Sequence, residues 1–425
     1  TRSKGKGGDL TVNAQDVQLI GGEGGSTGLY TRANLIGDGG NLTVSTNKLL
    51  VQDGAEVSTD TFGKGKGGDL TVNAQDILIR GRGKDNSTGI YAEAYYLGGD
   101  GGNLIIETNK LVIQDGGEVS TSTFAEGKGG DLIINAQDVQ LIGGSKDGSF
   151  TDRSGLFSMT YDTGDGGNLS IETNKLLVNG AQVNSSTLYG GKGGDLTINA
   201  QDVQLIGGGR GGLFNGLHTT TLIKGDGGNL TVSTNKLLVQ DGAMVDSSIL
   251  GEGKGGDLNI FTNQLLIQDG RVNTGTRGKG KGGDLTINAQ DIQMIGGSLE
   301  TAALSREGDA GNLSIETNKL LVQDKAVVAA STLSKEKGGD ITINAQDIQL
   351  EDNSTIRTES LQSGISGNIE INVKDSFNAD NGRVITQSGQ SSGGNIKITA
   401  GKNIFLRNNS DIKTILFSTD SSGGD

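Results

Sequence analysis

One four-residue motif, Gly-Gly-(Asp/Asn)-(Leu/Ile), recurs from one end of this chain to the other, and its spacing restricts the possible folds more than any other feature. Its Asp or Asn stands at Asp9, Asn41, Asp69, Asn103, Asp131, Asn168, Asp195, Asn229, Asp257, Asp284, Asn312, Asp340, Asn368 and Asn395, with Ser366 replacing the first glycine before Asn368. Successive positions lie 27 to 37 residues apart, most often 28. A fixed period that survives insertions belongs to a solenoid, in which similar coils stack along one axis. Such an array is first a scaffold, and any chemistry has to be sought on its surface.

Within a coil the apolar residues alternate. Leu10, Val12 and Ala14 face one way, Thr11 and Asn13 the other. Gln15-Asp16 breaks the phase, and Val17 and Leu19 resume it, which predicts a strand, a corner and a second strand. A Gly-rich corner follows, then a third strand (Leu29, Thr31 and Ala33, or Val57, Thr59 and Thr61 one coil later). Three strands per coil predict an all-β, triangular parallel β-helix of about 14 coils of about 28 residues, each strand pairing with its equivalents above and below. Glycine suits corners that need positive φ. The motif Asp or Asn is expected to bond nearby backbone amides there.

Composition agrees. Gly makes up 75 of 425 residues and hydrophobic residues only 32%. Values of this kind also occur in disordered chains, but those need no apolar alternation. Pro is absent, as expected of strands paired on both sides. Cys is absent, which removes disulfide and thiol chemistry. No run of about 18 apolar residues could span a membrane as a helix. The sequence contains no recognisable signal peptide. The net charge of −14 disfavours nucleic acid and anionic membranes as partners. The opening Thr1–Asp9 nearly repeats Thr276–Asp284, and Gly423-Gly424-Asp425 resembles the start of another coil. These ends lead us to expect a window of a longer array, or a unit that stacks end to end.

The coils are of two kinds. One reads Gly-Gly-Asp-Leu-Thr-Val-Asn-Ala-Gln-Asp and the other Gly-Gly-Asn-Leu-Thr-Val-Ser-Thr-Asn-Lys, and they alternate as far as Asn229. We call them A and B. Two charged columns follow the alternation. Lys6, Asp38, Lys66 and Asp100 begin the first, and Asp16, Lys48, Asp76 and Lys110 the second. Stacked neighbours are expected to meet opposite charges about 4.8 Å apart. Each exposed pair is worth only about 0–1 kcal/mol. The columns therefore read as register control, since a one-coil slip would stack like on like. Coils from Asn368 onward lose this pattern, so residues 1–364 form the regular array, and 365–425 a divergent end and possible junction.

Four kinds of site can be weighed. The Gly-Gly-Asp corners faintly resemble calcium-binding repeats, but Asn replaces Asp in every B coil and the period is wrong, so no metal or other cofactor is expected. His218 is the only histidine, and no carboxylate cluster departs from the repeat, so no enzyme is expected. Rows of Thr (Thr59 and Thr61, Thr121 and Thr123, Thr274 and Thr276) are in phase with Val57, Val119 and Val272 and should point inward. The A coils carry insertions between the second and third strands, and aromatic residues beside them. Tyr30, Tyr91, Phe157 and His218 occupy an outward position that is polar in B coils, with Tyr95, Tyr96, Phe150, Tyr161 and Phe214 close by. The expectation is an aromatic stripe that either binds a sugar chain or a neighbouring rod, or folds over the loops and shields them.

The runs Gly-Lys-Gly-Gly-Asp-Leu-Thr-Val-Asn-Ala-Gln-Asp-Val-Gln-Leu and Gly-Asp-Gly-Gly-Asn-Leu-Thr-Val-Ser-Thr-Asn-Lys-Leu-Leu-Val-Gln-Asp-Gly-Ala resemble the repeat region of filamentous-haemagglutinin-type exoproteins, especially cyanobacterial ones. The resemblance covers nearly the whole chain. It implies a right-handed parallel β-helix, two-partner secretion, and work as an extracellular fibre or adhesin. The secretion domain that opens such proteins has no counterpart here. The expectation is thus a secreted, non-enzymatic rod at the cell surface that associates with copies of itself, the alternative being a carbohydrate-binding adhesin.

Overall fold

A computed structural model describes residues 5–22, 26–34, 36–83, 87–96, 99–143, 154–207, 215–304, 308–335, 337–362, 364–389 and 393–416. Among them every regular element is a β-strand, and the strands stack in parallel as a β-solenoid. Two compact units are formed, one by Thr1–Leu237 with Asp241–Met244, the other by Leu238–Gln240 with Val245–Asp425.

In the first unit each full coil contributes one long strand, such as Leu42–Gln52, Leu70–Arg80, Leu104–Gln114 and Leu132–Ile142. Register runs through equivalent leucines: Leu42 pairs with Leu70, Leu70 with Leu104, Leu104 with Leu132, and Leu132 with Leu169. The 37-residue step from Asp131 to Asn168 leaves this pairing intact, because the extra residues fall outside the strand. The predicted corner at Ala74-Gln75-Asp76 shifts the side-chain phase but does not end the ladder. Leu70 and Val72 point inward before it, Ile77 and Ile79 after it, all buried. The two expected strands are therefore one bent eleven-residue strand.

The third side completes the core. Val57, Ile90, Val119, Leu156 and Val183 are buried, as are Thr59, Thr61, Thr121 and Thr123. Inward hydroxyls here have a structural task. Thr31 Oγ1 donates to the Gly40 carbonyl at 2.6 Å, and Ser185 Oγ to the Gly167 carbonyl at 3.0 Å. In the second unit Thr301 and Thr358 donate in the same way to Gly311 and Gly367. Each bond ties the third side to the glycine corner and satisfies a carbonyl that would be costly to bury alone.

At that corner the motif builds a seam. The side-chain oxygen of each motif residue accepts the backbone N–H of its equivalent in the next coil. Asn41 N donates to Asp9 Oδ1 at 2.8 Å, Asp69 N to Asn41 Oδ1 at 3.0 Å, Asn103 N to Asp69 Oδ1 at 3.0 Å, and Asp131 N to Asn103 Oδ1 at 3.0 Å. The second unit repeats this from Asp257 to Asn395. Asp and Asn serve equally because only an acceptor oxygen is required. Asn103→Ala should therefore weaken the stack by about 1 kcal/mol. Hydrogen exchange should find the Asp131 amide markedly faster, with the amide two coils away unchanged.

The charged columns stack in the expected register: Asp16 pairs with Lys48, Lys48 with Asp76, and Asp76 with Lys110. Their contacts differ from expectation in the first column. Asp38 Oδ1 accepts the backbone N–H of Lys66 at 2.9 Å, and Asp100 Oδ1 that of Lys128 at 2.8 Å. The lysine ammonium turns to the motif carboxylate of its own coil, as in Lys6–Asp9 at 3.8 Å and Lys66–Asp69 at 3.7 Å. A backbone donor is already held in place by the ladder, whereas a lysine head must surrender side-chain entropy to reach across.

In the second unit the third side is a six-residue strand in each coil (Arg271–Thr276, Ser298–Ala303, Val327–Thr332, Thr355–Ser360), with inward and outward positions mostly alternating. Further on, Ile341–Glu351 pairs with two shorter strands, Ile369–Val373 and Ser376–Asp380. The partner of Ala345 is Val373, 28 residues on, and that of Ile348 is Phe377, 29 on. One extra residue at Lys374-Asp375 breaks the long strand at its bend, as a bulge does.

Candidate functional site

The third side of the first unit differs from that of the second, and its departure creates a cleft. Its strands are only three or four residues long, such as Ala55–Ser58, Thr88–Tyr91 and Gly117–Ser120. After two further residues comes a separate bridge column through Thr61, Ala94, Thr123 and Thr160. Side chains on the outer face between strand and bridge are buried as well as those on the inner face.

Four outward columns line this face. In the first, glycine in A coils alternates with Glu or Gln in B coils: Gly28, Glu56, Gly89, Glu118, Gly155, Gln182. The second holds Tyr30, Ser58, Tyr91, Ser120, Phe157, Asn184 and His218. The two are coupled. A Cβ on Gly89 would lie 2.6 Å from the Tyr91 hydroxyl, and one on Gly155 would lie 2.6 Å from Phe157 Cζ. The rings of Tyr30, Tyr91 and Phe157 each fold back over the glycine two residues before them. The expected outward stripe is thus pressed flat. Tyr91 and His218 are buried, Tyr30 and Phe157 half-buried.

The third column, Arg32, Asp60, Glu93, Ser122 and Met159, gathers charge. Asp60 is 3% exposed and Glu93 6%. Arg32 donates to Glu56 at 2.7 Å and lies 3.6 Å from Asp60. Ser58 donates to Asp60, whose Oδ1 also accepts the Glu93 backbone N–H at 3.2 Å. Both Glu93 oxygens are held, one by the Tyr95 hydroxyl and one by that of Ser120. Burial pushes Glu93 up to about 8, with the Asp60 charge adding to it. Burial likewise takes Glu118 to about 7 and Asp60 to about 6. The sequence reading found no such carboxylate cluster because these three acids come from different coils and different offsets within them. The signal lay in the third column, where Asp60, Glu93 and Ser122 replace one another instead of repeating.

The fourth column follows the bridge residues. Phe62, Tyr95, Phe124 and Tyr161 stack ring on ring, with centroids 5.0, 5.0 and 4.4 Å apart and planes within 12° of parallel. Aromatics of both coil kinds contribute, one per coil. Sequence reasoning named Tyr95 and Tyr161 but missed Phe62 and Phe124, since it searched A coils alone. Stacking covers both faces of Tyr95 and Phe124 and one face each of Phe62 and Tyr161. Tyr96 differs: it is 78% exposed and leans on Phe62 and Tyr95 at 6.2 and 6.1 Å. Phe150, Phe214 and most of the A-coil insertions lie outside the described residues.

Together the columns enclose a cleft of about 360 Å³ between Glu93 and Thr220. Glu93 and Glu118 stand toward one end, Asn184, Ser186 and Thr220 toward the other, and Phe157 and Met159 between them. Among the described residues no three His, Asp or Glu side chains are placed to hold a metal ion. Comparison with known protein families, with curated proteins and with solved structures finds no match to this chain.

Proposed function

We propose that this chain is a structural β-solenoid of the filamentous-haemagglutinin type, working outside the cell as a surface fibre through association with copies of itself. The observation that carries this reading is the seam. Among the described residues, one coil after another joins its neighbour through the same Asx oxygens, backbone amides and glycine contacts, and the chain has no cysteine to add a disulfide. Chemistry that joins coil to coil within one chain is also chemistry by which a second copy can continue the stack. Exposed apolar side chains on the first unit, Tyr96, Phe124, Tyr189 and Ile223, suit lateral contact between fibres.

The carboxylate cluster does not turn this reading into an enzyme. Both oxygens of Glu93 are occupied by hydroxyl donors, and Asp60 is held by Ser58, Arg32 and a backbone amide, the environment of structural acids. An adhesin that stacks sugars on an aromatic stripe is also less favoured, because stacking takes both faces of Tyr95 and Phe124 and one face each of Phe62 and Tyr161. Electron microscopy of the native assembly tests the proposal. Filaments with a strand spacing of about 4.8 Å along their axis are the expected result. Particles that stay monomeric at every concentration by sedimentation would overturn it.

A further inference from the structure

We propose that the cleft of the first unit binds an organic amine, with its ammonium at Glu118, its apolar body over Phe157 and Met159, and a second donor at Asn184. The lining carries the carboxylates Glu93 and Glu118 beside apolar and hydroxyl side chains, and no lysine or arginine contributes to it. Arg32 is engaged by Glu56 and Asp60, while Arg82, outside the lining, acts on Glu118, so the ligand ammonium would join it there as a second cation. Asn184 supplies the independent indication of a ligand. It is 6% exposed and lines the cleft, its amide nitrogen donates to Gln182 at 3.3 Å, and its Oδ1 has no hydrogen-bond partner. A buried acceptor left unpaired costs about 1–3 kcal/mol, which a ligand N–H or O–H would offset.

Spacing sets the length of the ligand. Glu118 is the ladder partner of Gly155, Gly155 that of Gln182, and Asn184 stands two residues beyond Gln182, so the acidic and amide ends lie two coils apart along the stack and two residues apart along the strand, a backbone separation of about 12 Å. A six-carbon diamine has a similar reach, and so does a short run of amino-sugar units. Both present a primary ammonium beside an apolar surface, the methylene chain in one and the C–H face of the sugar ring in the other. Glu93, its two oxygens already bonded, shapes the acidic end, while Glu118 is the direct partner. This inference stands apart from the fibre proposal, since a monomer can bind the amine.

Calorimetric titration of the intact chain with hexane-1,6-diamine is the test, with hexane-1,6-diol as the uncharged control. Saturable binding should tighten at least tenfold between pH 5.5 and 8, as the acidic end ionises while the amine stays charged. Glu118→Gln should weaken it at least tenfold, and Asn184→Leu severalfold, with far-UV circular dichroism confirming the fold of each variant. If a variant fails to fold, the pH profile of the unaltered chain and the diol control still decide. A glucosamine tetramer tighter than the diamine would identify a polysaccharide as the source of the amine, and the reverse order a free polyamine. Equal binding of diol and diamine, a pH-independent affinity, or no saturable binding of diamine or glucosamine tetramer at millimolar concentration would overturn the proposal.

Discussion

Replacing Gly68 with alanine is expected to destabilise the first unit by about 3 kcal/mol or more, a large effect for the addition of one methyl group. The reason is direction. Along a strand a Cβ points into the core or out to solvent. At the seam the backbone turns, and a Cβ on Gly68 would point along the stack, 1.8 Å from the Gly40 carbonyl oxygen and 2.6 Å from its carbon. Rotamer change gives no relief, because the obstacle is backbone held by the ladder on both sides. The same geometry recurs at Gly130, 1.8 Å from the Gly102 oxygen. Gly22 is the control, since a Cβ there meets nothing within 4 Å, and Gly22→Ala should change the urea midpoint little. If Gly68→Ala unfolds at the same urea concentration as the unaltered chain, the close-packed seam is not what limits stability.

The second large effect is a loss of stability as pH rises. Asp60, Glu118 and Glu93 are raised to about 6, about 7 and about 8, all chiefly by burial. A carboxyl raised in the folded state holds its proton there after the unfolded chain has released it. The native state therefore binds more protons between the two values, and stability falls as pH rises through that window. The contribution is fully present below about pH 4, declines from about pH 5, and is gone by about pH 9. Each unit of raised pKa corresponds to about 1.4 kcal/mol, so Glu93 alone contributes on the order of a few kcal/mol. Glu93→Gln keeps the shape, still accepts from one hydroxyl and carries no proton to lose. Urea midpoints measured from pH 5 to 9 should fall steeply for the unaltered chain and much less for the variant. Parallel slopes would mean that Glu93 is not the group responsible.

Much of the fold was legible in the residues. The 28-residue period implied stacked coils, and the two-residue alternation implied which side chains fill the core. Leu70, Val72, Ile77 and Ile79 point inward as that alternation required. The inward reading of Thr59 and Thr61 rested on their phase with Val57, and both are buried. Such features are legible because a parallel ladder copies one local pattern from coil to coil, so register and burial follow from position alone.

The site was legible only in part, for the opposite reason. Tyr91 lies flat because Gly89, two residues earlier, leaves room for its ring. Phe62 and Tyr95 stack because the residue after each bridge position faces its equivalent one coil away, in A and B coils alike. Asp60, Glu93 and Glu118 cluster only once three coils are superposed. These contacts depend on which residue a variable outward position carries in each coil, and the repeat that reveals the scaffold hides them.

By itself, then, the sequence determined the solenoid, its register, its interior and the corner role of Asp and Asn, because each depends on one coil meeting its equivalent. Tertiary structure alone decided how those corners bond across coils, that the first charged column works through backbone amides, and that the aromatics of the third side shield an acidic cleft. Each of these depends on which group reaches a neighbour first, and fixed backbone donors and stacked rings reach it at less entropic cost than long charged side chains.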